Sequence, residues 1–74
     1  MKYIITNERR IGHNIIQIWQ VSPRGQFDHV VGTKGYIDCY LTVDDAIADA
    51  EALGIPVESE IAEDLWHALS ILGI

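Results

Sequence analysis

The hydrophobic period of the sequence changes at Thr42, and this change constrains the fold more than any other feature. Before Thr42, short runs rich in β-branched and aromatic residues are separated by turn-forming residues. That pattern is typical of antiparallel strands. After Thr42, apolar residues recur every three or four positions, which is the period of amphipathic helices. The predicted strands cover residues 3–6, 14–21, 27–31 and 36–41.

Two helices are predicted after this change, over residues 42–54 and 57–72. Thr42 and Asp45 match a capping box, in which the threonine caps the helix and the acid reaches back. Gly54 stands where a left-handed C-cap belongs, and Gly73 is the corresponding residue of the second helix. The apolar stripes expected to face the core are Val43, Ala46, Ile47, Ala50 and Leu53 in the first helix and Ile61, Leu65, Ala68, Leu69 and Leu72 in the second.

Residues 14–21 carry apolar side chains on both faces of their predicted strand. Ile16 and Ile18 share one face, whereas Trp19 and Val21 share the other. We therefore expect a central strand covered on each side, with Trp19 in the core. Short loops favour a meander. The sequence predicts one α+β domain over residues 1–74, in which a three- or four-stranded antiparallel sheet within residues 1–41 is followed by two helices.

The chain has 74 residues and Cys39 is its single cysteine, so no internal disulfide forms. A chain of this length buries only about 60% of the surface that its unfolded form exposes. A homodimer is therefore one expected means of support, with close packing as the alternative. No Cys or His spacing suggests zinc. No apolar run reaches the roughly 20 residues that cross a bilayer, and residues 1–6 do not resemble a secretion signal. We expect a cytoplasmic location and no membrane contact.

The charges are segregated along the chain. Residues 1–37 carry five basic and two acidic side chains, a net charge of +3. Residues 38–74 carry nine acidic side chains and neither Lys nor Arg, a net charge of −9. This distribution disfavours direct phosphate contacts, but it can steer a basic partner toward the acidic half. The expected partner is a basic nucleic-acid-binding protein or complex rather than nucleic acid itself.

The acidic side chains of the predicted helices form the candidate binding surface. One interpretation is that they only keep the helices soluble, but solvated helices usually mix both signs of charge. The other is that the carboxylates mimic a row of phosphates and occupy a basic nucleic-acid site. Trp66 lies at the rim of the second helix, either packed under the helix edge or serving as an interface anchor. Ile71 is expected near the acidic face. The candidate partner-binding residues are Asp44, Asp45, Asp49, Glu51, Glu60, Glu63, Asp64 and Trp66.

Two arrangements were weighed as catalytic or metal sites. Cys39 could meet His29 across neighbouring strands, but alternation with apolar residues favours a buried, inert cysteine. Glu63 and His67 are spaced to share a metal on one helix face, but a solvated face is favoured because no third ligand is evident. No nucleotide-binding, metalloprotease or nucleophile-elbow motif occurs. We expect a protein that is not an enzyme, with no catalytic residue, metal or cofactor.

Two resemblances bear on function. Residues 35–50, GYIDCYLTVDDAIADA, together with the strand at Met1, Lys2 and Tyr3, resemble the strand-to-helix segment of HicB-type antitoxins, roughly G-x-I-…-T-L-E-E-A-L-x-x-A. This resemblance implies an acidic, often oligomeric protein that neutralises a small basic RNA-cleaving toxin. The family's usual G-Y-x-A-x-x-P-x-L-P-G run is absent. In size, α+β pattern and acidic stretches at 44–51 and 58–64, the chain also resembles small phage- and prophage-encoded inhibitors of the anti-CRISPR type.

The function expected first is a non-enzymatic, anti-CRISPR-like inhibitor. It would use its acidic helical half to block a basic site on a nucleic-acid-handling complex. A HicB-like antitoxin that neutralises a small basic RNase toxin is the second expectation. A small enzyme or regulatory subunit is the third. The first two share one acidic surface and differ in their partner.

Overall fold

The computed structural model of the chain describes residues 1–33 and 39–74. An antiparallel sheet of three strands has the order β1-β2-β3, where β1 is Lys2–Arg10, β2 is His13–Val21 and β3 is Phe27–His29. Two helices follow, α1 over Val43–Leu53 and α2 over Leu65–Leu72. The predicted α+β class, a meander of strands followed by two helices, is confirmed. β3 covers only the first three residues of the predicted range 27–31.

β1 is longer than the sequence predicts. The polar residues that follow Thr6 are expected to end the strand, but Arg9 pairs with Asn14 and Arg10 pairs with His13. An antiparallel ladder is held by backbone hydrogen bonds, so its solvated end needs no apolar side chains. The β1–β2 hairpin therefore extends to its turn as a continuous two-stranded ladder.

The turn between β1 and β2 consists of Ile11 and Gly12, whose φ angles are +48° and +76°. Positive φ at both central residues suits the right-handed twist of a hairpin, and Asn or Gly normally fills these positions. The left-handed region costs an L-residue about 1–2 kcal/mol, and a β-branched residue there is a genuine outlier. The turn therefore holds strain at Ile11.

The outer edge of β1 is covered by residues 57–62, which the sequence places in the second helix. Val57 and Ala62 form parallel bridges with β1. The Ala62 N–H donates to the Ile5 carbonyl at 3.0 Å, and the Asn7 N–H donates to the Ala62 carbonyl at 2.8 Å. The prediction of helix from residue 57 is therefore wrong. Satisfying the backbone groups along the edge of β1 outweighs the helical pattern of this segment.

α2 begins at Leu65. Asp64 is its N-cap, and Asp64 Oδ1 accepts a hydrogen bond from the His67 N–H at 2.7 Å. Gly73 ends the helix in the left-handed conformation with φ of 71°, which confirms the predicted C-cap. The acidic residues expected in the first two turns of a longer helix precede α2 instead: Glu58, Glu60, Glu63 and Asp64.

α1 confirms Thr42 and Gly54 as caps, but within the described residues no hydrogen bond joins the Asp45 side chain back to Thr42, so only the Thr42 half of the predicted capping box is confirmed. Thr42 Oγ1 accepts a hydrogen bond from the Asp45 N–H at 3.1 Å, and Gly54 closes the helix with φ of 72°. Ala46 and Ala50 are the buried residues that α1 turns toward the sheet. No helix in the described ranges is both long enough and apolar enough to cross a membrane.

The sheet is covered on both faces, as the two-sided apolar pattern of β2 predicts. Neighbouring residues of a strand point to opposite faces, so Ile4 and Ile5 belong to different cores. Trp19 packs at the margin of the Ile4 core, and its Nε1–H donates to Thr6 Oγ1 at 2.9 Å. α2 covers one core and α1 the other. The buried residues are Ile4, Val21, Ala62, Ala68 and Leu72 in the first core and Ile5, Ile16, Ile18, Ala46 and Ala50 in the second.

The predicted fourth strand, residues 36–41, lies partly outside the described residues. Of its described part, Tyr40 forms one bridge with Ile16, whose carbonyl accepts from the Tyr40 N–H at 2.8 Å. Cys39 is exposed, and Leu41 is 90% exposed. The prediction that Cys39 is buried is therefore wrong. Alternation implies burial only where a covered strand continues, and the described residues here form a single bridge.

Candidate functional site

The segment between the edge of β1 and the first turn of α2 presents acidic side chains and one exposed tryptophan. All of these residues are exposed, and Trp66 is 82% exposed. The interpretation that Trp66 packs under the helix edge is therefore wrong, and that of an interface anchor remains. We call this surface the edge patch, formed by Glu58, Glu60, Glu63, Asp64 and Trp66.

Hydrogen bonds through His67 hold the edge patch in place. The Glu63 N–H donates to His67 Nδ1 at 3.1 Å, and the His67 N–H donates to Asp64 Oδ1 at 2.7 Å. The other ring nitrogen, Nε2, lies 3.4 Å from Glu60 Oε2. Because Nδ1 accepts from the backbone, the proton of the neutral imidazole is on Nε2, facing Glu60. These contacts of His67 fix the backbone that carries the acidic residues of the edge patch.

Asp64→Ala should lower the free energy of unfolding by about 1 kcal/mol, because it removes the side-chain cap of α2. Asp64→Ser should retain most of the stability, since a hydroxyl can accept the same N–H. Glu63→Ala is the control at a neighbouring exposed position and should change stability by less than about 0.5 kcal/mol. Urea denaturation followed by circular dichroism measures all three. Equal stability of Asp64→Ala and the wild-type protein would contradict the cap.

The carboxylates of the edge patch have no Lys or Arg partner within residues 1–33 and 39–74. In those ranges Arg10 forms an ion pair with Glu8 at 2.8 Å, and Glu60 Oε2 lies 3.4 Å from His67 Nε2, a contact that is an ion pair only when the imidazole is protonated. Uncompensated surface charge acts over about 8 Å at physiological ionic strength. The edge patch thus combines an exposed indole with a negative potential that reaches an approaching partner.

The acidic residues of α1 lie on the other side of the sheet from α2. Asp44, Asp45 and Glu51 are exposed. α1 packs against the core that contains Ile5, whereas α2 packs against the core that contains Ile4. The partner-binding set predicted from the sequence therefore divides into an α1 group and four residues of the edge patch, to which the structure adds the exposed Glu58.

Asp49 differs from the other predicted contact residues because it is half-buried, and its carboxylate is bonded to residues outside its own helix. The sequence pattern puts Asp49 opposite the apolar stripe, but the residue is half-buried. It accepts hydrogen bonds from the N–H and hydroxyl of Thr33 and from the hydroxyl of Tyr40. Burial, followed by the hydrogen bond to Asp49, raises the pKa of Tyr40 to about 12. Asp49 thus ties the chain that precedes α1 to the helix.

Neither the Cys39–His29 pair nor a metal held by Glu63 and His67 is supported by the contacts of the described residues. His29 stacks on Trp19 with ring centroids 4.1 Å apart, and its Nε2 lies 3.1 Å from Gln17 Nε2. Cys39 is exposed, and no hydrogen bond joins it to His29 within the described ranges. His67 Nδ1 already accepts a backbone N–H. Within the described ranges, no group of three His, Cys, Asp or Glu side chains is placed to hold a metal.

A shallow, open groove of about 560 Å³ lies where the β1–β2 hairpin meets the start of α2. Asn7 Oδ1 is buried beside it without a hydrogen-bond partner. The groove carries both signs of charge. Its walls are formed by Asn7, Glu8, Arg9, Asn14, Glu63 and Asp64.

Two surface residues depart from the sequence prediction. Ile71, expected near the acidic face, is half-buried against the core under α2, so that prediction is wrong. Ile11 was not predicted as a surface feature, yet it is 99% exposed at the hairpin tip. The signal for Ile11 lies in the sequence, because a β-branched residue precedes Gly12 in a turn that normally uses Asn-Gly.

No protein-family model matches the chain, and no curated protein and no solved structure matches it significantly.

Proposed function

We propose that this chain is a non-enzymatic inhibitor that binds the basic site of a nucleic-acid-handling protein or complex, in the manner of anti-CRISPR proteins. The observation that carries the proposal is the edge patch. Trp66 is 82% exposed beside carboxylates that have no Lys or Arg partner in the described ranges.

The composition of the edge patch favours a protein partner. A tryptophan that desolvates fully in a contact is a frequent binding hot spot. The surrounding carboxylates select a positively charged partner and speed the encounter with it. Phosphate-binding surfaces are rich in Lys and Arg, so a nucleic-acid site offers the charge that the edge patch complements. Nucleic acid itself would be repelled by the same carboxylates.

The scaffold of the edge patch supports a role as a rigid ligand. The backbone of Ala62 is bonded on both sides to β1, at 3.0 Å to Ile5 and at 2.8 Å to Asn7. His67 bonds the residues that follow. A surface fixed before binding loses little conformational entropy on association. The backbone of the edge patch is therefore fixed before binding, and the carboxylates of Glu60 and Asp64, which contact His67, can mimic phosphates held at set positions.

A pull-down from cells of the natural host, at low and at high salt, tests this proposal. The bait is the wild-type chain, and the matched bait carries Glu58→Gln, Glu60→Gln, Glu63→Gln and Trp66→Ala. We expect the wild-type bait alone to retain a basic nucleic-acid-binding complex at low salt and to release it at high salt. Retention of a single small basic ribonuclease would indicate the antitoxin alternative. Equal retention by both baits would overturn the proposal.

A further inference from the structure

The tip of the β1–β2 hairpin is the part of the surface where sequence and conformation conflict most. Ile11 has a φ of +48° and precedes Gly12 at +76°, where Asn would remove most of the strain. Ile11 is 99% exposed, so no contact within the chain offsets that strain. Strained residues persist where function uses them. The side chain of Ile11 therefore suits a contact with another molecule.

The hairpin tip is also basic. Arg9, Arg10 and His13 flank the turn and are exposed. Arg10 is paired with Glu8 at 2.8 Å. Within the described residues, Arg9 forms neither an ion pair nor a side-chain hydrogen bond. The tip thus offers an apolar end on a positively charged stem, and its complement must carry negative charge.

The groove beside the hairpin supplies that complement. Glu63 and Asp64 are acidic residues of its lining, and Arg9 lines the same groove. The ladder stays paired as far as Arg10 and His13, so the turn residues Ile11 and Gly12 lie beyond the residues that line the groove of their own chain. The tip and the groove are therefore adjacent on the surface, and within the described residues no ion pair joins Arg9 to Glu63 or Asp64.

We propose that the hairpin tip docks into the groove of a second copy of this chain, forming a two-fold symmetric dimer. In a two-fold dimer the same surface of each copy contacts the other copy. That surface must therefore contain both residues of every pair that meets across the interface. A basic tip beside an acidic groove meets that requirement, because each tip enters the groove of the other copy. Arg9 of one copy faces Glu63 of the other, and the contact removes Ile11 from water.

The dimer needs only the chain itself, so it stands independently of the function proposed above. The dimer contact and the proposed contact with a basic partner both use Glu63 and Asp64. A dimer and a basic partner therefore compete for the groove, and raising the concentration of the free chain weakens its apparent affinity for the partner.

Sedimentation equilibrium of purified wild-type protein and Ile11→Asn tests the role of the tip. We expect Ile11→Asn to raise the dimer dissociation constant at least about 10-fold, since it removes the apolar end. The thermal midpoint of the dilute monomer should rise by about 5 °C, because Asn tolerates the left-handed region. An unchanged dissociation constant with a lower midpoint would show a purely structural role for Ile11 and overturn the proposal. So would wild-type protein that stays monomeric up to about 1 mM.

Charge reversal tests the pairing of tip and groove. Arg9→Glu and Glu63→Lys should each weaken self-association at least about 10-fold, because each places like charges opposite one another. An equimolar mixture of the two variants should associate as heterodimers about as tightly as the wild-type protein, since both contacts then join opposite charges. A mixture that associates no better than either variant alone would contradict the arrangement.

Discussion

Removing the edge patch should lower the affinity for the basic partner on the order of 100-fold. The variant carries Glu58→Gln, Glu60→Gln, Glu63→Gln and Trp66→Ala. Trp66 contributes the apolar anchor, and the three carboxylates contribute attraction to Lys and Arg of the partner. Asp64 is left unchanged because it caps α2. Surface plasmon resonance against the captured partner measures the loss, which should shrink as the salt concentration rises.

A matched control variant shows whether the loss of affinity depends on where the removed carboxylates lie or only on how many are removed. It carries Asp44→Asn, Asp45→Asn, Glu51→Gln and Leu41→Ala, which again removes three carboxylates and one exposed apolar side chain. These residues belong to α1 and the chain that precedes it, on the side of the sheet away from α2. We expect affinity to fall less than about 5-fold, through the change in net charge alone. Equal losses for both variants would contradict the edge patch as the binding surface.

Ile4→Ala and Ile5→Ala should each lower the free energy of unfolding by about 2–5 kcal/mol, through lost apolar transfer energy and the cavities they leave. Both side chains have 0% exposure, but they lie in different cores, one beneath α2 and the other beneath α1. A domain of this size loses roughly 4–8 °C of thermal midpoint per kcal/mol. Each variant should therefore melt at least about 8 °C below the wild-type protein.

Leu41→Ala is the control for these two core variants. Leu41 is 90% exposed, so its truncation should change the free energy of unfolding by less than about 0.5 kcal/mol. Thermal denaturation followed by circular dichroism compares all three variants. If Ile4→Ala or Ile5→Ala behaved like Leu41→Ala, the sheet would be covered on one face only, and the two-core arrangement would be wrong.

Local signals in the sequence are sufficient to predict much of the fold. Thr42 and Gly54 bound α1 because capping depends on residues within a turn of the helix end. The apolar residues on both faces of β2 predict its central place, since each face needs its own cover. Each of these features depends only on residues of a single helix or strand, and each occurs in the structure at the predicted position.

The start of α2 could not be predicted because a distant strand decides it. Residues 57–62 carry apolar and acidic side chains at spacings that suit a helix, but their backbone completes the outer edge of β1. That pairing joins residues more than 50 positions apart, such as Tyr3 and Val57. No local pattern contains this information. The one local clue is Asp64, a residue type that caps helices, directly before the apolar Leu65.

The sequence predicts the negative charge of the candidate site but not how its residues are arranged in the fold. Segregation of acidic residues follows from the sequence alone. Their division between α1 and the edge patch does not, because it depends on α1 and α2 covering opposite faces of the sheet. Asp49 also escaped prediction, since its hydrogen bonds join it to Thr33 and Tyr40 across the fold. Helical periodicity gives the direction of a side chain and not what packs beside it.

Displacement of nucleic acid from the partner tests the central claim most directly. The partner retained by the wild-type chain is loaded with its own fluorescently labelled nucleic acid, and anisotropy is followed as the chain is added. We expect the wild-type chain to release the label competitively, while the variant that lacks the edge patch releases it only at about 100-fold higher concentration. A ternary complex, in which the chain binds and the label stays in place, would contradict the claim that the edge patch occupies the nucleic-acid site.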